Sequence, residues 1–153
     1  MNKNRGTEWQ NLFKNICEKN SINCIRFYDT MQGFKSVDNP CDFVISKNLE
    51  EPSILVECKS THNSSFGLDF KQYPRLLELN HFRSIVLIWF VEKKKVCALD
   101  IQFIKKLRDS GVKSYNPDKI HDTDGCMTLD SAFARIKPQQ LDLLALWGSS
   151  EKK

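Results

Sequence analysis

Several scarcities narrow the possibilities for this 153-residue chain. None of the six cysteines forms a Cys-x-x-Cys pair, so the spacing of a zinc cluster is missing. Cys17, Cys24, Cys41, Cys58, Cys97 and Cys126 are scattered, mostly inside apolar segments. They read as reduced core thiols of a cytoplasmic protein rather than a disulfide framework. Long apolar runs are also lacking: Ser84–Val91 spans eight residues, against the roughly 20 a membrane helix needs. The polar start, Met1 to Glu8, has no apolar core of a secretion signal. A membrane partner is therefore not expected. Only five prolines and 27% charged residues, beside 41% hydrophobic ones, exclude low complexity and disorder as descriptions of the whole chain. The excess of positive charge is slight, 23 Lys+Arg against 19 Asp+Glu. It permits a nucleic-acid partner without requiring one.

What is present suits one domain over residues 1–153, large enough to hold a core without disulfides. Trp9, Leu12, Phe13, Ile16 and Cys17 recur at i, i+3, i+4, i+7, i+8 and predict an amphipathic helix from Thr7 to about Asn20. Ile22–Tyr28 reads as a strand, Asp29–Pro40 as a loop, and Cys41–Ser46 with Ser53–Thr61 as a β-hairpin. Helical spacing returns over Asp69–Leu79, and Pro74 moves its start towards Tyr73. Ser84–Val91 is a continuous apolar strand suited to the middle of a sheet, and Lys93, Lys94 and Lys95 turn the chain into Val96–Asp100. Ile101–Asp109 is a short helix closed by Ser110-Gly111. After Val112 a loop runs through Gly125, and Pro138–Trp147 predicts a last helix. The order α-β-β-β-α-β-β-α fits an α/β fold, a mixed sheet flanked by helices.

The hairpin carries the chemistry. In its second strand, alternation sets Ile54, Val56 and Cys58 on one face and Leu55, Glu57 and Lys59 on the other. An acid and a base thus emerge two residues apart from a strand otherwise built for burial. If Lys47 and Pro52 close a four-residue loop, Asp42 lies directly across from Glu57. Opposed Cβ atoms are then roughly 4.5–5.5 Å apart. Two carboxylates that close repel unless something cationic sits between them. Lys59 is one candidate. A shared divalent cation is the other, since Mg²⁺ bonds oxygen at about 2.1 Å. Pro40 marks where the first strand begins, and so where Asp42 emerges.

Read together, Pro40-Cys41-Asp42, fourteen intervening residues and Glu57-Cys58-Lys59 resemble the motif of the PD-(D/E)XK nuclease superfamily. The resemblance implies the restriction-endonuclease-like αβββαβ core over about residues 5–100. Within the superfamily the chain looks most like the RecU-type Holliday junction resolvases. The matching residues are Asn4-Arg5-Gly6, Asp42-Phe43, Glu57-Cys58-Lys59-Ser60-Thr61, Ser65-Phe66-Gly67-Leu68 and Leu99-Asp100. Two departures stand out. Gln10 occupies the position where the family's first helix usually carries an acid, although Glu8 is two residues away. The loop of about Asp29–Asn39 is also much shorter than the junction-gripping insertion of RecU proteins.

The resemblance implies Mg²⁺-dependent hydrolysis of a phosphodiester, with Mn²⁺ able to substitute. Asp42 and Glu57 would hold the ion, with the Cys58 carbonyl as a third protein oxygen, and Lys59 would orient water or steady transition-state charge. Related nucleases often place a Gln or Lys on the following helix, which points to Gln72, with Arg75 under a shifted alignment. Arg5, Ser60, Thr61 and Lys71 are candidate nucleic-acid contacts. His62 reads as a loop residue, and Lys105, Lys106 and Arg108 as cations that suit a helix C-terminus without any ligand. The implied partner is DNA, branched DNA in particular. Because one site cuts one strand, a two-fold homodimer is expected, with Leu141–Trp147 one candidate interface. A restriction- or repair-type nuclease on linear DNA, and a non-catalytic nucleic-acid-binding module of the same fold, are the alternatives.

Overall fold

The computed structural model describes residues 2–27, 41–79, 82–120 and 126–130, with backbone alone for 2–7 and 126–130. The loop of about 29–39, Pro40, His81, His121 and the expected helix 138–147 lie outside the described residues. The elements run α1 (Asn2–Lys19), β1 (Asn23–Arg26), β2 (Phe43–Ser46), β3 (Ile54–Thr61), β4 (Phe66–Gly67), α2 (Tyr73–Glu78), β5 (Arg83–Phe90), β6 (Lys95–Asp100), α3 (Ile101–Asp109), β7 (Ser114–Tyr115) and β8 (Cys126–Asp130).

Six strands form one sheet in the order β1-β2-β3-β5-β6-β8. Among the described residues only the β3–β5 pair is parallel, and α2 lies in the crossover between those strands, as parallel neighbours require. The helical stripe read from Trp9 to Cys17 is buried in full. With Phe43, Ile45, Ile54, Val56, Cys58, Ile85, Leu87 and Trp89 it forms the core on the α1 face. The second core, on the opposite face, joins Leu55, Val86, Ile88 and Phe90 to Tyr73, Leu76, Phe103 and Ile104 of α2 and α3. Residues of β3 and β5 alternate between the two cores, and β5 is buried from Ser84 onward. That is the pattern of a central strand covered on both faces.

Both longer helices end in the same hydrogen-bonded loop. At α1, Ile22 N–H donates to Cys17 O at 2.9 Å and Ser21 N–H to Glu18 O at 3.2 Å. At α3, Val112 N–H donates to Leu107 O at 2.9 Å and Gly111 N–H to Arg108 O at 3.0 Å. This Schellman arrangement needs a left-handed residue just past the helix, supplied by Gly111 at φ 90° and by Ser21 at φ 57°. Asp100 caps the start of α3, its carboxylate accepting from Gln102 N–H at 2.9 Å.

Helix α2 covers Tyr73–Glu78, with Pro74 in its first turn, the start that the proline indicated. Two features differ from the sequence reading. Lys95 is the first residue of β6 rather than part of the turn. Past Val112, where a loop through Gly125 was expected, β7 pairs with β4; beyond that loop, where the sequence reading assigned no element, β8 adds a strand against β6. A two-residue ladder leaves no periodicity to read, and Cys126–Asp130 needs the β6 surface to define it. Cys17, Cys41, Cys58 and Cys97 are buried free thiols, and Cys24 is half-buried. Among the described residues no helix is long and apolar enough to cross a membrane.

Candidate active site

Three backbone-registered pairs, Phe43 with Val56, Val44 with Leu55 and Ile45 with Ile54, define the hairpin. One step further along that register sets Asp42 across from Glu57. The Asp42 backbone is held on both sides: its N–H donates to Val56 O at 3.1 Å, and its carbonyl accepts from Phe27 N–H at 2.8 Å. Its carboxylate is held as well, Oδ2 accepting from Cys58 N–H at 2.9 Å. The first acid of the motif is therefore tied to the strand segment that carries the second acid and the lysine.

Glu57 is 3% exposed, so it is not one half of a solvated surface ion pair. Burial, and after it the charge of Asp42, raises its pKa from 4.5 to about 8, with Lys59 acting in the opposite direction. The Lys59 ammonium is 3.5 Å from Glu57 Oε2 and 5.7 Å from the centroid of the Phe70 ring. A buried carboxylate facing a second one is under-compensated by a single ammonium, and a divalent cation would favour its ionised form. The donor set is oxygen-rich and hard, which suits Mg²⁺, an ion that takes one or two carboxylates and keeps several waters. Among the described residues no group of three or more His, Cys, Asp or Glu side chains converges as a metal cage. Backbone, water and substrate oxygens would complete the shell. The Cys58 thiol is no ligand candidate: it packs in the α1-face core, and burial pushes its pKa well up.

The remaining sequence candidates are placed unequally. Gln72 sits at the N-cap of α2 without a capping hydrogen bond, and its Oε1 is buried with no hydrogen-bond partner. That is a cost unless something outside the chain meets it. Ser60 and Thr61 end β3 half-buried, and Thr61 Oγ1 accepts from Asn63 N–H at 3.0 Å. Lys71 and Arg75 are exposed, Arg75 lying 3.8 Å from Glu78. Arg5 falls on α1, its side chain outside the described residues. Glu8 is exposed. Gln10 Oε1 accepts from Arg26 Nη2 at 2.8 Å, and the same guanidinium donates to Asn11 Oδ1 at 3.0 Å. Gln10 thus serves to join α1 to β1. His62 Nδ1 pairs with Glu92 Oε2 at 2.7 Å.

No known protein-family profile matches the sequence, and no curated protein sequence does. Among solved structures, the chain is similar to Hjc of Archaeoglobus fulgidus, a Holliday junction resolvase from an archaeal hyperthermophile. The TM-score is 0.53 at 14% identity, over 94% of this chain and 100% of that one. The two proteins share a fold. The mixed sheet flanked by helices, with its αβββαβ core, is thus an architecture that a junction resolvase also uses, and the match to Hjc does not single out the RecU type.

Two residues of this region were not singled out in the sequence. Phe70 lies against Lys59, and its only local signal was the apolar spacing of the segment. Arg108 lies in the last turn of α3, as read, and it also donates Nη1–H to Leu68 O at 2.6 Å. Its guanidinium carbon also stands 4.1 Å from the centre of the Tyr73 ring. Nothing within ten residues of Arg108 announces a partner forty positions earlier.

Proposed function

We propose that this protein is a divalent-metal-dependent DNA endonuclease acting on branched substrates, four-way junctions first among them. The observation that carries the reading is the Asp42 carboxylate, held by Cys58 N–H, opposite a buried Glu57 beside Lys59, on a fold shared with a junction resolvase. In this reading Asp42 and Glu57 hold Mg²⁺ or Mn²⁺, with the Cys58 carbonyl as a third protein oxygen. When bound, the ion supplies Lewis acidity to the scissile phosphate and acidifies a water. Lys59, a compact ammonium, orients the attacking water or neutralises charge growing on the phosphate. The Gln72 Oε1, buried without a hydrogen-bond partner, is suited to accept from that water. Ser60, Thr61, Lys71 and Arg5 are proposed to contact the DNA backbone, and two copies related by a two-fold axis would cut both strands of a junction. The assignment to the RecU type rests on the motif residues alone.

The test is incubation with labelled four-way junction, linear duplex and single strand, each with Mg²⁺ or with EDTA. Symmetric paired nicks in the junction, abolished by EDTA, are expected. Cleavage of linear DNA in preference to the junction would replace this reading with a restriction- or repair-type nuclease. Tight DNA binding without cleavage under any metal would leave a binding module, the outcome that Gln10 in place of an acid favours.

A further inference from the structure

The Lys59 side chain has four rotatable bonds, and holding its ammonium at one point costs rotamer entropy. Its ion-pair partner is Glu57 at 3.5 Å, longer than the roughly 2.7–2.9 Å of a charge-assisted hydrogen bond. In the proposed reaction that carboxylate is also committed to a cation. A second hold is present: the ammonium lies 5.7 Å from the centre of the Phe70 ring, whose electron-rich face attracts cations. Phe70 is only half-buried, so burial alone does not account for its place.

The ring is itself fixed by neighbours. Phe70 meets Tyr73 edge-on, centroids 6.0 Å apart at 76°, and Phe66 at 5.8 Å. The far end of this group is Arg108, stacked on Tyr73 at 4.1 Å and hydrogen-bonded to Leu68 O at 2.6 Å. The segment is also tied to β7 by the Phe66–Tyr115 pair and by Leu68 N–H donating to Lys113 O at 3.0 Å. A row of cation, ring, ring and cation therefore runs from the end of α3 to Lys59.

We propose that Phe70 is a positioning residue for Lys59, and that Arg108, acting through Tyr73 and Leu68, holds Phe70 in register. The catalytic consequence rests on the nuclease reading; the hold on the ammonium does not. The expected effects are as follows. Phe70→Leu keeps apolar bulk but removes the ring face, lowering kcat about tenfold with KM changed less than about twofold. Phe70→Trp, which restores a ring face, recovers kcat to within about threefold of the wild type. Without metal or DNA, acylation of Lys59 by an N-hydroxysuccinimide ester, read by mass spectrometry, is about fivefold faster in Phe70→Leu. Arg108→Gln raises that acylation rate too, and adding it to Phe70→Leu raises it no further, since both act on one chain of contacts. Wild-type kcat and wild-type acylation in Phe70→Leu would overturn the proposal, as would Phe70→Trp being as slow as Phe70→Leu. Additive effects in the double variant would overturn the role of Arg108. If the wild type cleaves no DNA while Phe70→Leu still speeds acylation, the nuclease reading fails and the positioning of Lys59 stands. Should Phe70→Leu fail to fold, Arg108→Gln alone decides through the same acylation readout.

Discussion

The two faces of the sheet use the same strands in opposite ways. On one face, the eighteen residues of α1 lay Trp9, Phe13 and Ile16 over Phe43, Val56 and Leu87. The rings interlock there, Phe13 and Phe43 at 4.9 Å and Trp9 and Trp89 at 5.7 Å. The buried indole N–H of Trp9 is satisfied by Leu87 O at 3.3 Å. On the other face, the cover near β3 is the six-residue α2 and the segment that leads into it. There the strand turns from Leu55 to Glu57 and Lys59. A carboxylate with a raised pKa opposite a second one is a destabilising arrangement. It persists because the alternate residues of the same strand are locked into a dry core. The difference teaches that β3 divides its labour by face, with Ile54, Val56 and Cys58 holding the α1-face core and Glu57 and Lys59 presenting charge on the other, past Leu55.

That contrast can be broken at several points. Phe13→Ala, which opens a void on the α1 face, should cost about 3–5 kcal/mol of stability in urea unfolding; a loss below about 1 kcal/mol would mean that this face is not what holds the strand. Lys59→Ala should do the reverse, lowering kcat about 10²–10³-fold while shifting unfolding by no more than about 1 kcal/mol. Because the folded-state pKa of Glu57 lies above its unfolded value, the stability it contributes is full below about pH 4.5 and is lost as pH rises through about 8. The metal-free protein should therefore lose on the order of 4 kcal/mol between pH 5 and pH 9 relative to Glu57→Gln. Added Mg²⁺ should raise the melting temperature most at the alkaline end, where the carboxylate is ionised. The smallest effects belong to the two helix ends. Ser21→Gly should stabilise α1 by about 1 kcal/mol and Gly111→Ala destabilise α3 by a similar amount, since both positions have positive φ. Equal and negligible shifts in thermal melts would show that these loops relax freely.

Much of this is legible in the sequence. The apolar stripe of α1, the alternation of β3 and the uninterrupted run of β5 each follow from the spacing of a few side chains. The hairpin register followed from Lys47 and Pro52 closing a short loop, which put Asp42 opposite Glu57. Pro74 correctly moved the start of α2 to Tyr73, because a proline fits a first turn and little else in a helix. Other features left no local trace. The pairing of Gln10 with Arg26, of His62 with Glu92 and of Arg108 with Leu68 joins residues 16, 30 and 40 positions apart. Each involves a polar side chain that, seen alone, suits solvent equally well. The β4–β7 ladder is two residues long, too short for any period to show.

Local spacing, then, was enough to set the strands, their faces and the identity of the three charged residues, because hydrophobic period and turn closure act over a few positions. It could not say that Glu57 would be buried deeply enough for its pKa to rise, or that a ring and a distant guanidinium would stand behind Lys59. Those depend on which segments the folded sheet brings together. Desolvation and charge–ring contacts are properties of that packed neighbourhood, and a strand considered alone has no such neighbours.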